Sequence, residues 1–325
     1  MMRLIKSILT LVLTLWWLIP VLNSAHAGEI AVLKSADLPY YEQAIAGFKA
    51  ELSGTTSIKD YNLYGQLEQG REIAKSLRAS PPDLVLAVGL KAAMAAKLEI
   101  FDTPVVFCMV LNPETYGLPT SNMTGVAVRT SAEIQLSALH SMMPDRNRIG
   151  ILYDENQSGT FVHDAFQATK RLGLDLVAVP IHRPDDIPIA VRALLPKVDV
   201  LWLIQDQLVV SESAIPFFLE STLSAKIPLF TFSSTLVQQG ALGALVLDPW
   251  TVGQQTARIA RAQLKEHRTS GGYIEPPEHP QLALNLNSAE YLGITLTPEV
   301  IRLASHVFSG LGTMARHPAH QNPIP

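Results

Sequence analysis

The chain has 325 residues, of which 48% are hydrophobic and 17% are charged, and its formal net charge at pH 7 is −4. This composition is typical of a well-packed globular protein and excludes an intrinsically disordered one. The length suits two domains of moderate size, and the acidic balance argues against nucleic acid or an anionic membrane surface as a partner.

The N-terminus has the three-part pattern of a secretory signal peptide. A basic start at residues 1–6 precedes an apolar run at 8–22, and residues 25–27 (Ala-His-Ala) supply the small-x-small pattern that signal peptidase needs. The apolar run, about 15 residues long, is short for a membrane span. We predict a signal peptide at 1–27, cleaved before Gly28, and a periplasmic protein. The peptide holds two of the 25 basic residues and no acid, so 23 basic and 29 acidic residues remain, a net charge of −6.

Short apolar runs alternate with longer amphipathic stretches along the rest of the chain. The apolar runs predict strands buried on both faces of a parallel sheet, at 29–35, 83–88, 104–110, 149–153, 174–181, 198–204, 228–232 and 244–247. Apolar residues at spacings of three or four predict helices, at 38–52, 67–79, 131–143, 160–172, 186–196, 212–224 and 251–267. The repeated alternation of strand and helix predicts an α/β fold with parallel sheets.

The number of strands favours two sheets, because open twisted sheets rarely exceed about ten strands. The division between two strand–helix series lies near residues 122–125. The tail from Gly310 is rich in Pro, His and Gly, and residues 311–325 are expected to be flexible.

No catalytic motif is present in the sequence. It lacks G-x-S-x-G, G-x-G-x-x-G and G-x-x-x-x-G-K-[ST]. The nine His residues are scattered without metal-ligand spacing, and the single cysteine, Cys108, lies in an apolar run typical of a buried structural position. The hydroxyls of Ser158 and Thr160 are interpreted as caps of the helix that follows. We therefore predict no enzymatic activity, no cofactor and no metal.

The polar residues that stand out come just after the predicted strand ends. In an open α/β sheet these ends form the ligand-binding edge, and helix N-termini there offer free N–H groups. The same residue types are common in turns and caps, so the set as a whole, more than any one member, predicts a ligand cleft between two polar rims. The candidate ligand-binding residues are Ser35, Tyr40, Gly89, Leu90, Lys91, Asn112, Glu155, Asn156, Asp206, Ser233 and Asp248.

Two aromatic positions are assigned by their neighbours in the pattern. Tyr41 continues an apolar stripe with Ile45 and Phe48, so the adjacent Tyr40 is expected to face the cleft. Trp202 lies inside a predicted strand and is expected to belong to the core.

Seven segments, taken in order, resemble the substrate-binding proteins of ABC transporters with the type I periplasmic-binding fold, in the group that includes tryptophan- and tyrosine-binding members. Each segment alone is a weak signal, but their order and spacing are specific and cover nearly all of the mature chain. They are SADLPYYEQAIAGFKAEL at 35–52, PPDLVLAVGLKAAMAA at 81–96, PVVFCMVLNPETYGL at 104–118, NMTGVA at 122–127, RIGILYDENQSG at 148–159, GALGALVLDPWTVGQQTARIA at 240–260 and NLNSAEYLGITLTPEVIRLA at 285–304.

The resemblance implies two Rossmann-like lobes, joined by three crossings, that close like a hinge on a small molecule. Lobe one would comprise 28–126 plus 249–275, and lobe two 127–248 plus 276–310. The post-strand residues named above would form the ligand shell. The ligand would be a small organic molecule such as an amino acid. The protein would act as a monomer and deliver this ligand to an ABC permease in the inner membrane.

The chain departs from this family pattern at the predicted site. Many relatives carry Thr or Ser where this chain has Leu90, and the adjacent Lys91 is expected to offer a cation in place of that hydroxyl. The turn at 154–157 is more acidic than expected, and Asp206 is a candidate partner for a ligand ammonium.

Two other functions remain open at this point. One is a ligand-binding component of a periplasmic sensor or signalling system, which would use the same fold. The other is an exported α/β enzyme with a nucleophile and base that no motif reveals. Fold alone does not separate these alternatives.

Overall fold

The computed structural model describes residues 28–52, 57–266, 272–310 and 312–315. These residues form two β-sheets, of six and eight strands. The strands are β1 (Glu29–Lys34), β2 (Ser57–Asn62), β3 (Leu84–Val88), β4 (Val105–Val110), β5 (Met123–Ala127), β6 (Arg148–Tyr153), β7 (Asp175–Pro180), β8 (Val200–Trp202), β9 (Leu229–Thr231), β10 (Gly243–Val246), β11 (Ile274–Glu275), β12 (Gln281–Asn285), β13 (Ala304–Ser309) and β14 (Gly312–Ala315).

Helices connect most of the strands and cover the faces of both sheets. They are α1 (Pro39–Glu51), α2 (Leu67–Ala79), α3 (Leu90–Glu99), α4 (Ala132–Met142), α5 (Glu155–Leu172), α6 (Ile187–Leu194), α7 (Ala214–Ser224), α8 (Ser234–Gln238), α9 (Pro249–Glu266), α10 (Leu286–Leu292) and α11 (Pro298–Leu303). Short 3-10 turns lie at Pro113–Tyr116, Pro184–Asp186 and Leu195–Lys197.

Both sheets are largely parallel. The first has the order β11-β5-β4-β3-β1-β2, and its pairs are parallel, with Ile30 opposite Leu84 between β1 and β3. The second has the order β14-β13-β12-β10-β9-β8-β6-β7, and it is antiparallel at β10–β12 and β13–β14. The predicted α/β class with two lobes is confirmed.

Each sheet is buried on both faces, which explains the continuous apolar runs in the sequence. In β3, Val85 and Ala87 pack with α2 and α3, whereas Leu86 packs on the opposite face with α1 and α9. In β8, Leu201 and Trp202 likewise enter different clusters. Trp202 is buried, as predicted.

Helix α9 follows a strand of the second sheet but packs against the first. Helices α1 and α9 approach each other closely at two glycines. A Cβ on Gly47 of α1 would lie 2.1 Å from the Trp250 carbonyl oxygen, and a Cβ on Gly253 of α9 would lie 1.9 Å from the Ala44 carbonyl oxygen. At the far end, Arg261 pairs with Glu51 at 3.0 Å. The described chain therefore passes between the lobes three times, after β5, after β10 and between β11 and β12.

Several boundaries differ from the predictions for identifiable reasons. Strand β2 escaped prediction because it lies at a sheet edge and carries mostly exposed or half-exposed polar residues. The helix expected at 160–172 begins at Glu155, because the Asp154 carboxylate accepts a hydrogen bond from the Asn156 N–H at 3.0 Å. Ser158 and Thr160 therefore lie inside this helix and do not cap it, contrary to the prediction.

The two ends of the chain were predicted to be a signal peptide and a flexible tail. Residues 312–315 of the tail form β14, which pairs antiparallel with β13, so part of the predicted flexible tail is an ordered strand. The predicted signal peptide and residues 316–325 lie outside the described residues. Among the described helices, none is both long enough and apolar enough to span a membrane.

Candidate ligand-binding cleft

Residues that follow strands of both sheets line two cavities between the lobes. The cleft cavity, of about 650 Å³, is lined by α1, α3 and the end of β4 on one side and by the ends of β8, β9 and β10 on the other. The hinge cavity, of about 480 Å³, lies around residues 112–115, 127–131 and 155–161. Val128, in the first crossing between the lobes, lines both.

The lobe-one side of the cleft cavity is supported by Gly89 and Ser35. Gly89 has a φ of +85°, and a Cβ there would lie 2.4 Å from the Tyr41 hydroxyl oxygen and 2.7 Å from the Ser35 hydroxyl oxygen. The buried Ser35 hydroxyl donates to the Val88 carbonyl at 3.0 Å and accepts from the Ala92 N–H at 2.9 Å. These two predicted ligand residues therefore join β1, β3 and α3 beneath the cavity and do not line it.

Two adjacent tyrosines form one wall of the cleft cavity. Tyr40 and Tyr41 pack edge to face, with ring centroids 4.6 Å apart and an interplanar angle of 71°. Tyr40 is 43% exposed and Tyr41 is 9% exposed, which matches the predicted division between cleft and core. Burial raises the pKa of the Tyr41 phenol. Both rings nevertheless line the cavity, so the sequence reasoning missed the contribution of Tyr41.

Met109, at the floor of the cleft cavity, has a backbone conformation in the left-handed region of φ/ψ space. Met109 has a φ of +60°, and the register between β4 and β5 shifts between Phe107 and Val110. A bulge of this kind redirects a side chain out of the regular alternation, and Met109 is half-buried and lines the cavity. Such backbone strain costs on the order of 1–3 kcal/mol and is concentrated at functional sites.

The lobe-two side combines apolar and neutral polar side chains. Phe232 and Ser233 follow β9, and the Ser233 hydroxyl caps α8 by accepting from the Leu236 N–H at 3.5 Å. Gln205 and Gln207 follow β8 and line the same cavity. Ser233 was predicted, whereas Phe232 was treated only as the end of a strand.

Asp206 lies beside the cleft but is occupied by the protein itself. It is 2% exposed, and its carboxylate accepts from the Ser158 hydroxyl at 2.7 Å and from the N–H groups of Asp154, Leu208 and Val209 at 2.9, 3.0 and 3.2 Å. These donors fill the hydrogen-bonding capacity of a carboxylate. The geometry therefore gives Asp206 the role of joining β6, α5 and β8, in place of the expected pairing with a ligand ammonium.

Two further predicted residues point elsewhere. The Lys91 ammonium donates to the Gly65 carbonyl oxygen, and Lys91 is exposed, so it supplies no cation to the cleft cavity. Asp248 accepts from the Trp250 N–H at 3.1 Å at the start of α9. Neither side chain lines either cavity.

Arg129 lies in the first crossing and contacts both lobes. Its guanidinium donates to the Asn112 side-chain oxygen at 2.5 Å and to the Gln205 carbonyl oxygen at 3.2 Å, and it lies 3.9 Å from the centroid of the Phe161 ring. Burial lowers the pKa of Arg129 to about 10, so it remains a cation at neutral pH. No sequence motif marked this residue; its role follows only from its position between the lobes.

The hinge cavity collects the other predicted residues. Asn112 has a φ of +48° and donates from its side-chain amide to the Gln157 carbonyl at 2.9 Å, which links the two lobes directly. Glu155 and Asn156 line the same cavity at the start of α5.

The fold divides the predicted ligand-binding residues into three groups. Tyr40, Leu90 and Ser233 line the cleft cavity, and Asn112, Glu155 and Asn156 line the hinge cavity, whereas the remaining five support the fold or face away. Over the parts of the chain that the structure describes, no group of three or more His, Cys, Asp or Glu residues is placed to hold a metal ion.

Two lobes joined by three crossings around a cavity define a two-lobe ligand-binding protein of the α/β class. The family model described as "ABC transporter substrate binding protein" matches residues 29–308. The chain belongs to this family of substrate-binding proteins.

Individual relatives agree with this assignment. The chain is 24% identical over 253 residues to a tyrosine-binding protein of Clostridioides difficile strain R20291, covering 73% of each chain. The structure is similar to the ligand-free, open structure of a substrate-binding protein with adhesive properties from Clostridium difficile, with a TM-score of 0.72, 22% identity and coverage of 83% of this chain and 96% of that one. It is also similar to an ABC domain in complex with L-Trp from Streptococcus pneumonia, with a TM-score of 0.64, 23% identity and coverage of 86% and 99%.

Proposed function

We propose that this protein captures a small organic molecule in the cleft cavity and delivers it to an ABC importer. The observation that carries the proposal is the cavity of about 650 Å³, lined from both lobes and mostly by half-buried side chains. Its size falls within the range of about 300–1,000 Å³ typical of ligand pockets. Delivery to an importer is supported by membership of the substrate-binding family.

Hinged closure is the second part of the proposal. We propose lobe one at 28–126 plus 249–275 and lobe two at 127–248 plus 276–310, extended by β14 at 312–315, because strands β1–β5 and β11 share one sheet and the remaining strands share the other. Closure about the three crossings would bury the ligand between the walls, and a single copy contains both walls.

Export to the periplasm is the third part of the proposal. A cleaved signal peptide at 1–27 would place the mature protein in the periplasm, where it meets both the ligand and the permease. N-terminal sequencing of protein recovered from the periplasmic fraction tests this, and the expected first residue is Gly28.

A thermal-shift screen of mature protein tests ligand capture. A ligand present at 100 times its Kd should add about 2.7 kcal/mol to the free energy of unfolding. The matched variants are Phe232→Ala, which removes a ring from the cavity, and Phe166→Ala, which removes an exposed ring from α5. The proposal requires a hit whose shift disappears in Phe232→Ala alone.

Delivery is tested separately, with the permease and ATPase reconstituted in proteoliposomes. Ligand-loaded protein should stimulate ATP hydrolysis and accumulate ligand in the lumen. Ligand capture without either response would overturn delivery and would favour the sensor function.

A further inference from the structure

We propose that the cleft cavity takes an uncharged ligand with an apolar ring, in preference to a zwitterionic amino acid. This inference rests on the proposed function and names the substrate class of the same site. Among the described residues, those that line the cavity include no Asp, Glu, Lys, Arg or His. A charged ligand group would therefore lose its water without gaining an ionic partner, which is strongly unfavourable.

Charged residues adjacent in sequence to the cavity lining are held by other partners. The Lys91 ammonium donates to the Gly65 carbonyl, and the Asp206 carboxylate is filled by four donors of the protein. Glu42, which follows Tyr41 in the sequence, pairs with Lys34, and Lys34 also pairs with Asp37.

Arg129 is a cation that contacts both lobes, and it lines the hinge cavity. Its guanidinium is directed to Asn112, Phe161 and the backbone of Gln205. It lines the hinge cavity together with three exposed acids, Glu114, Glu155 and Asp164. Arg129 therefore does not provide a cationic wall for the cleft cavity.

The side chains that do line the cleft cavity fit a neutral ring. The rings of Tyr40, Tyr41 and Phe232 offer apolar faces, and Met109 offers a polarisable thioether that packs well against aromatic groups. Leu90 adds a further apolar surface at the start of α3.

The polar groups in the cavity are themselves uncharged. The amides of Gln205 and Gln207 and the hydroxyls of Ser233 and Ser234 both donate and accept hydrogen bonds. They suit neutral ligand groups such as an amide, a hydroxyl or a ring nitrogen. The ligand class is therefore an uncharged aromatic or heteroaromatic molecule with a few hydrogen-bonding atoms.

Two fluorescent probes that differ by one charged group test this inference. N-phenyl-1-naphthylamine is uncharged, and 8-anilinonaphthalene-1-sulfonate has the same ring system with an added sulfonate. We expect the mature protein to bind the uncharged probe with a Kd at least about tenfold lower, because only the sulfonate would lack a partner. N-acetyl-L-tryptophanamide should likewise displace the uncharged probe at concentrations at least about tenfold lower than L-tryptophan.

A substitution of a cavity residue tests whether the preference for the uncharged probe arises in the cleft cavity. Leu90→Lys places a cation against the cavity and should invert the preference, so that the sulfonate probe binds more tightly. Leu98→Lys adds a cation at an exposed position of α3 that lines neither cavity, and it should leave the preference as in the original chain. Circular dichroism establishes that both variants are folded.

The outcomes separate this inference from the proposed function. The uncharged ligand class would be overturned if the original chain bound the sulfonate probe as tightly as the uncharged probe or more tightly. Binding of L-tryptophan that is as tight as that of its neutral amide, or tighter, would overturn it as well. A response of this binding to Leu90→Lys would keep the cleft as a binding site. Failure of both probes and of the small-molecule screen to bind folded protein would overturn both.

Discussion

At the scale of single residues, the structure separates groups that look alike in the sequence. Asp206 and Asp248 both follow strands, yet the first is buried among four donors and the second accepts one backbone N–H. Burial and the number of hydrogen-bond partners decide the role of each residue, and neither property is written in the local sequence.

Asp206 is predicted to be a structural residue. Asp206→Asn replaces two acceptor oxygens by one and places an NH₂ group against existing donors, so we expect the free energy of unfolding to fall by about 2–4 kcal/mol. Urea unfolding at pH 7 measures this, with Asp248→Asn as the matched control, expected to change stability by less than about 1 kcal/mol. Unchanged stability combined with abolished ligand binding would show that Asp206 contacts ligand.

Gly89 is predicted to be irreplaceable because of both its backbone and its surroundings. Gly89→Ala requires a φ of +85° and brings a Cβ against Tyr41 and Ser35, so we expect a loss of at least about 2 kcal/mol. Gly173 is the matched control, because its φ is +69° and nothing lies within 4 Å of an added Cβ. Gly173→Ala should cost about 1 kcal/mol. Equal losses in thermal unfolding would contradict the close-approach argument.

Cys108 is predicted to be unreactive in the folded protein. It is buried in β4, and burial raises the pKa of its thiol to about 12. The group is therefore a protonated thiol at pH 8, and the thiolate is the reactive form. A thiol-reactive chromophore at pH 8 should react with less than about a tenth of the protein until urea unfolds it. Rapid stoichiometric reaction of folded protein would show that the site is open.

At the scale of secondary-structure elements, the first crossing between the lobes is the most informative segment. It contributes Val128 to both cavities and places Arg129 against a side chain of lobe one and a carbonyl of lobe two. These contacts connect the end of β4 with the end of β8. Arg129 is therefore one of the side chains through which the two lobes contact each other.

Arg129 is predicted to set the balance between open and closed lobes. Arg129→Met keeps much of the packing against Phe161 but removes the hydrogen bonds to Asn112 and Gln205, so we expect the Kd for ligand to rise about tenfold, equivalent to ~1.4 kcal/mol. Calorimetry measures the affinity. Arg171→Met, which removes an exposed pair with Glu133 inside lobe two, is the control and should leave the Kd unchanged. Equal affinities of the two variants would exclude this role.

At the scale of the whole molecule, each of the two sheets has its own buried core on both of its faces. In the proposed closure, each lobe would therefore move as a unit about the three crossings. Fold alone does not separate transport from signalling, so the partner of the ligand-bound protein decides between these functions.

Ligand binding is predicted to compact the molecule. Saturating ligand should lower the radius of gyration measured by small-angle X-ray scattering, because the lobes close about the crossings. Phe232→Ala at the same ligand concentration is the control and should keep the value of the ligand-free protein. A radius of gyration that does not change while calorimetry shows saturation would mean that the cleft binds without closure.

The sequence by itself determined the α/β class and the division into two sheets. Strands buried on both faces need continuous apolar runs, and amphipathic helices need apolar spacing, so both patterns are local and readable. Edge strand β2 lacks such a run, because it has a neighbouring strand on one side alone and most of its residues are exposed or half-exposed. Strand β14 lay in a segment whose composition indicated a flexible tail.

Only the tertiary structure decided which residues form the cleft. Their position after strands identified Tyr40, Leu90 and Ser233 as cleft residues. Met109 lines the cleft cavity because of a bulge in β4, and Phe232 lines it because lobe two lies opposite lobe one. The uncharged lining is likewise a tertiary property, because Lys91 and Asp206 are held in hydrogen bonds to partners distant along the chain and line neither cavity. Hydrogen bonding and burial between distant segments therefore determine the chemistry of the site, while local patterns determine the elements that carry it.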